Sequence, residues 1–322
     1  MRNLDKFHVI VVLSNPIRYQ SRYKLYEIFQ EDMTRKGGAL WTVELQGGAR
    51  LHKVTDTHED RHTQLSGSLL PGELWHKENL INLAIQQLSI MAPDWRYVMW
   101  CDADIKFEQG AIYEVAEALQ HWDIVQCWSH AIDLGPQGET IGRPHQSFMY
   151  CYWKGIQVID PAGYLGGGHP GFAWAARRDA LNKLGAGLSS GPLIDWGILG
   201  SADRHMAAGW IGRIGDSVHK DMHPNYLKWL KLWQARAEKT IRRNVGFSHG
   251  TIRHMWHGRK ADRGYSSRWK ILVKNQFDPE ADLVKDVSGV WQLVSDCPRQ
   301  MMLRDDIRKY FRARREDATT TD

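Results

Sequence analysis

The sequence predicts an α/β protein built on an open, mostly parallel sheet with helices on its faces. Two observations carry this. Short apolar runs alternate with helical patterns through the first two-thirds of the chain, as strand–helix units require. Residues 97–101 form an unbroken apolar run, the pattern of a strand buried on both faces rather than one. At 322 residues, with 43% hydrophobic and 25% charged, the chain is long and apolar enough to bury a sizeable core.

The elements follow in order. Residues 7–13 read as the first strand, closed by Ser14-Asn15-Pro16, and residues 19–34 as the helix behind it. Residues 40–45 are a second strand, and the polar stretch 52–72 reads as an irregular, mobile loop. A stronger helix spans 75–88, where Leu80, Ala84 and Leu88 fall four apart with Ile81 and Ile85 beside them. Pro93-Asp94 ends that unit, and the strand at 97–101 runs straight into Asp102-Ala103-Asp104. Ile112, Val115, Ala116 and Leu119 mark the next helix, and 123–128 another strand.

Beyond Gly135 the chain is glycine-rich, and 163–171 reads as an adaptable loop. A short helix is expected at 203–214 with Met206, Ala207, Trp210 and Ile211 inward. Residues 225–243 read as a basic amphipathic helix: Lys228, Lys231, Lys239 and Arg242 on one face, Tyr226, Trp229, Leu230 and Trp233 on another. The tail after Glu316 is polar and expected to fray. This gives a core over 1–215 and a basic helical extension over 216–322, forming one unit.

Charge is unevenly spread. Residues 220–274 hold fourteen Lys and Arg against Asp221, Glu238 and Asp262, although the whole chain carries only +5. Such a field suits an anionic partner: a diphosphate, a nucleic acid or a phospholipid surface; a solvated basic face is the plain alternative. Cys101, Cys127, Cys151 and Cys297 lie far apart without metal-ribbon spacing, so a disulfide framework is not expected and a reducing cytoplasm fits. No basic-then-apolar leader and no apolar stretch of about 18 residues occurs, so neither a secretory signal nor a membrane span is expected. Most of the fifteen tryptophans are expected in the core.

The chemistry centres on Asp102 and Asp104. Past the end of a buried strand a turn can aim both carboxylates at one cation, and ligands of open α/β sheets bind outside the carboxyl ends of strands. Mg²⁺ or Mn²⁺ takes oxygen ligands and commonly binds through one or two carboxylates plus substrate phosphates. A metal-dependent nuclease would use the same pair, but the nearest acidic residues, Asp94 and Glu108, are poorly spaced to complete its site. A non-catalytic nucleic-acid binder would use the basic face and leave the sheet-end carboxylates unexplained.

Four segments resemble glycosyltransferases of the GT-A fold. Tyr97-Val-Met-Trp-Cys-Asp-Ala-Asp-Ile is similar to their metal-binding strand and DxD, and Lys77-Glu-Asn-Leu-Ile-Asn to the basic helix start before it. Gly168-His-Pro-Gly-Phe-Ala-Trp resembles the glycine-rich aromatic segment that shapes the sugar and acceptor pocket. Thr251-Ile-Arg-His-Met-Trp-His-Gly-Arg-Lys is similar to the late histidine segment of β-1,4-galactosyltransferases. Together they span roughly residues 7–263, and the whole chain also resembles bacteriophage glycosyltransferases.

The resemblance implies a metal-bound nucleotide-sugar donor, a UDP-sugar above all. Asp104 becomes a direct Mn²⁺ or Mg²⁺ ligand, Asp102 reaches the metal or the ribose, and His254 or His257 completes the set. His257 is preferred because Arg259 and Lys260 then face the diphosphate, with Lys77 nearby. Ser14, Asn15, Pro16 and Glu44 are implied for the nucleoside, and Gly168, His169 and Trp174 for the acceptor pocket. The galactosyltransferase Trp-Gly-Gly-Glu-Asp run is absent; Leu199-Gly-Ser-Ala-Asp-Arg-His-Met stands in its place. Asp203 there is the expected general base, with Asp195 as substitute; the alternative is a helix-start Asp beside a Ser201 cap. For the acceptor, Lys228, Lys231 and Trp229 suggest double-stranded DNA carrying hydroxymethylated bases, although a phosphorylated glycan would suit the same residues.

Overall fold

The structure is a computed structural model that describes residues 4–68, 73–159, 167–187, 191–265, 267–294 and 297–320. The chain opens with β1 (Phe7–Ser14), α1 (Gln20–Arg35), β2 (Ala39–Gly47) and β3 (His62–Gly67). Next come α2 (Lys77–Met91), β4 (Tyr97–Cys101), β5 (Ile105–Phe107), α3 (Ala111–His121) and β6 (Ile124–Gln126). β7 (His130–Leu134), β8 (Thr140–Gln146), α4 (Phe148–Trp153), β9 (Ala173–Arg177) and α5 (Arg178–Leu184) follow. Then come α6 (Ala202–Trp210), α7 (Pro224–Thr240), β10 (Val245–Phe247) and β11 (Thr251–His254). The chain ends with α8 (Trp269–Lys274), α9 (Pro279–Asp282), β12 (Leu283–Lys285), β13 (Trp291–Leu293) and α10 (Pro298–Ala313).

A seven-stranded mixed sheet in the order β10-β6-β9-β4-β1-β2-β3 forms the centre. β9 alone runs antiparallel to its neighbours, β4 and β6; every other pairing is parallel. Alternate residues of β1 and β4 feed two cores. Ile10, Val98 and Trp100 pack with α2, while Val9, Val11 and Met99 pack with α1 and α3. Both faces are therefore covered, which is why these strands read as continuous apolar runs.

One expectation fails here. The stretch 52–72 contains β3, a polar edge strand parallel to β2; one sheet face and one free edge give it no apolar signature. The loop expected at 163–171 leads into Ala173–Arg177, the central strand β9, which sequence did not mark and which pairs with two neighbours. Residues 163–166 of the expected loop lie outside those described.

A second sheet, β5-β11-β7-β8, brings late sequence to early sequence. β11 pairs antiparallel with β5 and parallel with β7, so His254 sits opposite both Ile105 and Asp133. The extension at 216–322 thus contributes β10 to the main sheet and β11 to the second. α7 ends at Thr240, and Arg242 lies beyond it in a left-handed conformation, so it does not continue the lysine face. The tail is also tied down: Asp317 accepts from the backbone N–H groups of Gln20 and Ser21 (3.1 and 2.8 Å) at the start of α1. Among the described residues no helix is long and apolar enough to cross a membrane.

Candidate metal centre and cleft

β4 delivers Asp102 and Asp104 to the carboxyl edge of the main sheet. Two backbone bonds fix the turn: the Asp102 N–H donates to Phe172 O (2.9 Å), and the Met255 N–H donates to Asp104 O (2.7 Å). The second bond places β11 and its continuation over the turn. Asp104 Oδ2 then lies 2.8 Å from His257 Nε2 and 3.7 Å from His254 Nε2, and the two ring nitrogens are 3.3 Å apart.

This triad of one carboxylate and two imidazoles could hold a metal ion. The fit is supported by Asp104 Oδ1, which is buried and has no hydrogen-bond partner among the described residues. Two nitrogen donors suit Mn²⁺, Fe²⁺ or Zn²⁺ better than Mg²⁺, which prefers oxygen. Burial alone would raise Asp104, but His257 and His254 hold it well below the usual carboxylate range. Burial pushes His257 down to about 4, leaving it neutral and able to coordinate.

Asp102 takes a different partner. Its carboxylate is 2.5 Å from Lys77 Nζ at the start of α2, and it stands outside the triad. Of the two roles expected for Asp102, metal or ribose, the geometry leaves it outside the group that could hold a metal, which is one carboxylate and two histidines. Sequence spacing could not separate the two aspartates, because their partners come from α2 and β11.

The triad opens into a cleft of about 470 Å³ that reaches from Ser14 and Pro16 to Asp203. Most cations on its wall have a carboxylate nearby. Lys260 pairs with Asp133, Lys77 with Asp102, and Arg22 and Arg314 both with Glu316. Arg263 does not, among the described residues. Its side chain is buried at 4% exposure, it makes only long contacts to Gly258 O and Tyr265 Oη (3.4 Å each), and its Nε has no partner. A buried guanidinium without a counter-charge is costly, so an anion could be held at this part of the wall. At the other end Trp75 stacks on Phe311 (centroids 6.4 Å apart, 12° between planes), with Arg314 and Arg22 over its ring at 5.3 and 5.9 Å.

Asp203 also lines the cleft, at the start of α6. Its Oδ1 accepts from the Arg204 N–H (2.8 Å), and a side-chain carbon on Gly171 would lie 2.7 Å from Oδ2 and displace the carboxylate. Burial opposes its charge, but Lys77, Arg268 and His169 hold it below the ordinary aspartate value. Ser201 does not cap the helix: it has positive φ, and its hydroxyl accepts from Arg268. Next to Asp203, His169 stacks on Phe172 at 4.2 Å and is kept neutral by burial, down to about 3.

Several expected site residues do other work. Asp195 is buried against Lys285 (3.0 Å) and does not line the cleft, so it cannot replace Asp203. Glu44 is buried on β2 and accepts from the backbone of Lys53, Val54 and Thr55 (2.7 to 3.0 Å), anchoring a loop. Asn15 closes its own turn through Tyr19 (2.8 and 3.0 Å). Arg259 points to Asp262 (3.0 and 3.2 Å), and Lys260 and Arg263 take the cleft instead. Trp174 is a core residue donating to Pro170 O (2.8 Å). Gly168 has positive φ and packs on Ser147 and Phe148, leaving no room for a side chain. On α7, Lys228 pairs with Glu280 (3.1 Å), Lys231 is exposed, and Trp229 meets Trp196 edge-on at 5.3 Å; none fronts the cleft.

The reading from sequence missed Asp133, Arg263, Glu316 and Trp75. Asp133 arrives by sheet pairing and Arg263 and Glu316 with the late C-terminal segments, which no spacing marks, whereas Trp75 stands two residues before Lys77 and could have been found from it. No protein-family model matches this chain, and no curated protein matches it in sequence.

Proposed function

We propose that the chain is a metal-dependent glycosyltransferase of the GT-A type, moving a sugar from a nucleotide sugar, most suitably a UDP-sugar, to an acceptor hydroxyl. The observation that carries this reading is the Asp104–His254–His257 cluster at the end of β4 beside the uncompensated Arg263. A cation site and a buried guanidinium on one wall suit a diphosphate, which takes charge-assisted hydrogen bonds from both Arg263 and Lys260. The bound ion would supply Lewis-acid stabilisation of the leaving diphosphate.

The remaining roles fall to the chain's own groups. Trp75 offers a flat ring for the base, near Ser14 and Pro16. Lys77 holds Asp102 in place for the donor ribose. Ionised Asp203 takes the acceptor proton as the hydroxyl attacks the anomeric carbon. A hydroxymethylated base in duplex DNA remains our proposed acceptor, approaching past Arg204, Arg268 and the exposed Tyr265 rather than along α7.

Thermal unfolding tests the donor half. Mn²⁺ with a UDP-sugar at about a hundredfold over Kd should add about 2.7 kcal/mol by mass action, more than either alone. Stabilisation by Mn²⁺ unaffected by every UDP-sugar offered would overturn the nucleotide-sugar assignment.

A further inference from the structure

Behind His254 lies a carboxylate that no motif announced. Asp133 on β7 is buried, and His254 Nδ1 donates to its Oδ1 at 2.7 Å. Its Oδ2 receives His145 Nε2 at 2.5 Å and Lys260 Nζ. One carboxylate therefore touches a metal-ligating histidine and a cleft-lining lysine together. The sheet fixes this: β11 and β7 run parallel with His254 opposite Asp133.

We propose that Asp133 is the positioning residue of the site, and this rests on the metal reading above. Its bond to Nδ1 fixes which ring nitrogen of His254 carries the proton, leaving the Nε2 lone pair aimed at the point shared with Asp104 and His257. Its bond to Lys260 holds that ammonium against the cleft wall, within reach of an anion on the metal. His145, half-exposed at the rim, completes the three donors and keeps the carboxylate from turning. Losing Asp133 should therefore weaken the metal and the anion together, although it touches neither.

Calorimetry with Mn²⁺, then with UDP in the presence of Mn²⁺, tests this on the full chain. Asp133→Asn should lower Mn²⁺ affinity about 10- to 100-fold, the usual range for such supporting carboxylates. Lys260→Met, which leaves the His254 and His145 bonds to Asp133 in place, should weaken UDP more than it weakens Mn²⁺. The visible absorption of Co²⁺-loaded Asp133→Asn should also differ from wild type, a change that loss of fold stability alone would not produce. Wild-type Mn²⁺ affinity and an unaltered Co²⁺ spectrum in Asp133→Asn would overturn the proposal. Asp104→Ala serves as reference: if it abolishes Mn²⁺ binding while Asp133→Asn changes nothing, the metal reading stands and only the positioning role falls.

Discussion

Asp203 and Asp195 are eight residues apart, and their surroundings decide between them. Asp195 is neutralised by Lys285 within the core, whereas Asp203 stands ionised in the cleft, in space that Gly171 leaves free. Asp203→Asn should bind metal and donor as wild type does and transfer sugar at least about a hundredfold more slowly, the scale of general-base loss. Turnover within a few-fold of wild type would assign the proton elsewhere. The same contrast separates Asp102 from Asp104. Sequence identifies both as sheet-end carboxylates, because an apolar strand runs straight into them. Their division into one aspartate paired with a lysine and one set beside two histidines depends on side chains 25 and about 150 residues away, which no local pattern encodes.

At the scale of elements, β1, β4 and α2 are legible because burial on both sides writes apolar runs and stripes into the sequence. β3 is not, since an edge strand with polar side chains is held by backbone pairing and by Glu44 rather than by an apolar face. Glu44 gives this a test. Burial opposes its charge, but the N–H groups of Val54 and Lys53, with the Gln46 and Thr55 side chains, lower it below the ordinary glutamate value. A depressed folded value means stability that is present above the unfolded pKa and lost as pH falls through the folded one. Glu44→Gln should therefore cost about 1–3 kcal/mol at pH 7. The gap from wild type should narrow at an acid pH below both the unfolded and the lowered folded value, where the protonated acid and the amide become alike. Urea unfolding at both pH values measures it; a gap independent of pH would show that the charge of Glu44 is not what anchors the loop.

For the whole molecule, the basic segment 220–274 divides in two. Lys260, Arg263 and Arg268 turn into the cleft, whereas Lys228 and Lys274 meet Glu280 and Asp306 outside it. The charge excess visible in composition is thus partly a feature of one site, and α7 owes its tryptophans to the core that Trp233 fills. The C-terminal segment shows the same long-range logic: Glu316, buried between Arg22 and Arg314, ties that segment to the first turn of α1. The central claim is that Asp104, from the sheet edge, and two histidines, from β11 and the loop after it, form one metal centre serving an anionic donor. Isothermal calorimetry of Mn²⁺ into wild type and Asp104→Ala tests it most directly, with circular dichroism as the check on fold. The account predicts one Mn²⁺ per chain in wild type, none in Asp104→Ala, and UDP-sugar affinity that vanishes with the metal. Equal Mn²⁺ and UDP-sugar affinities in the two proteins would contradict it.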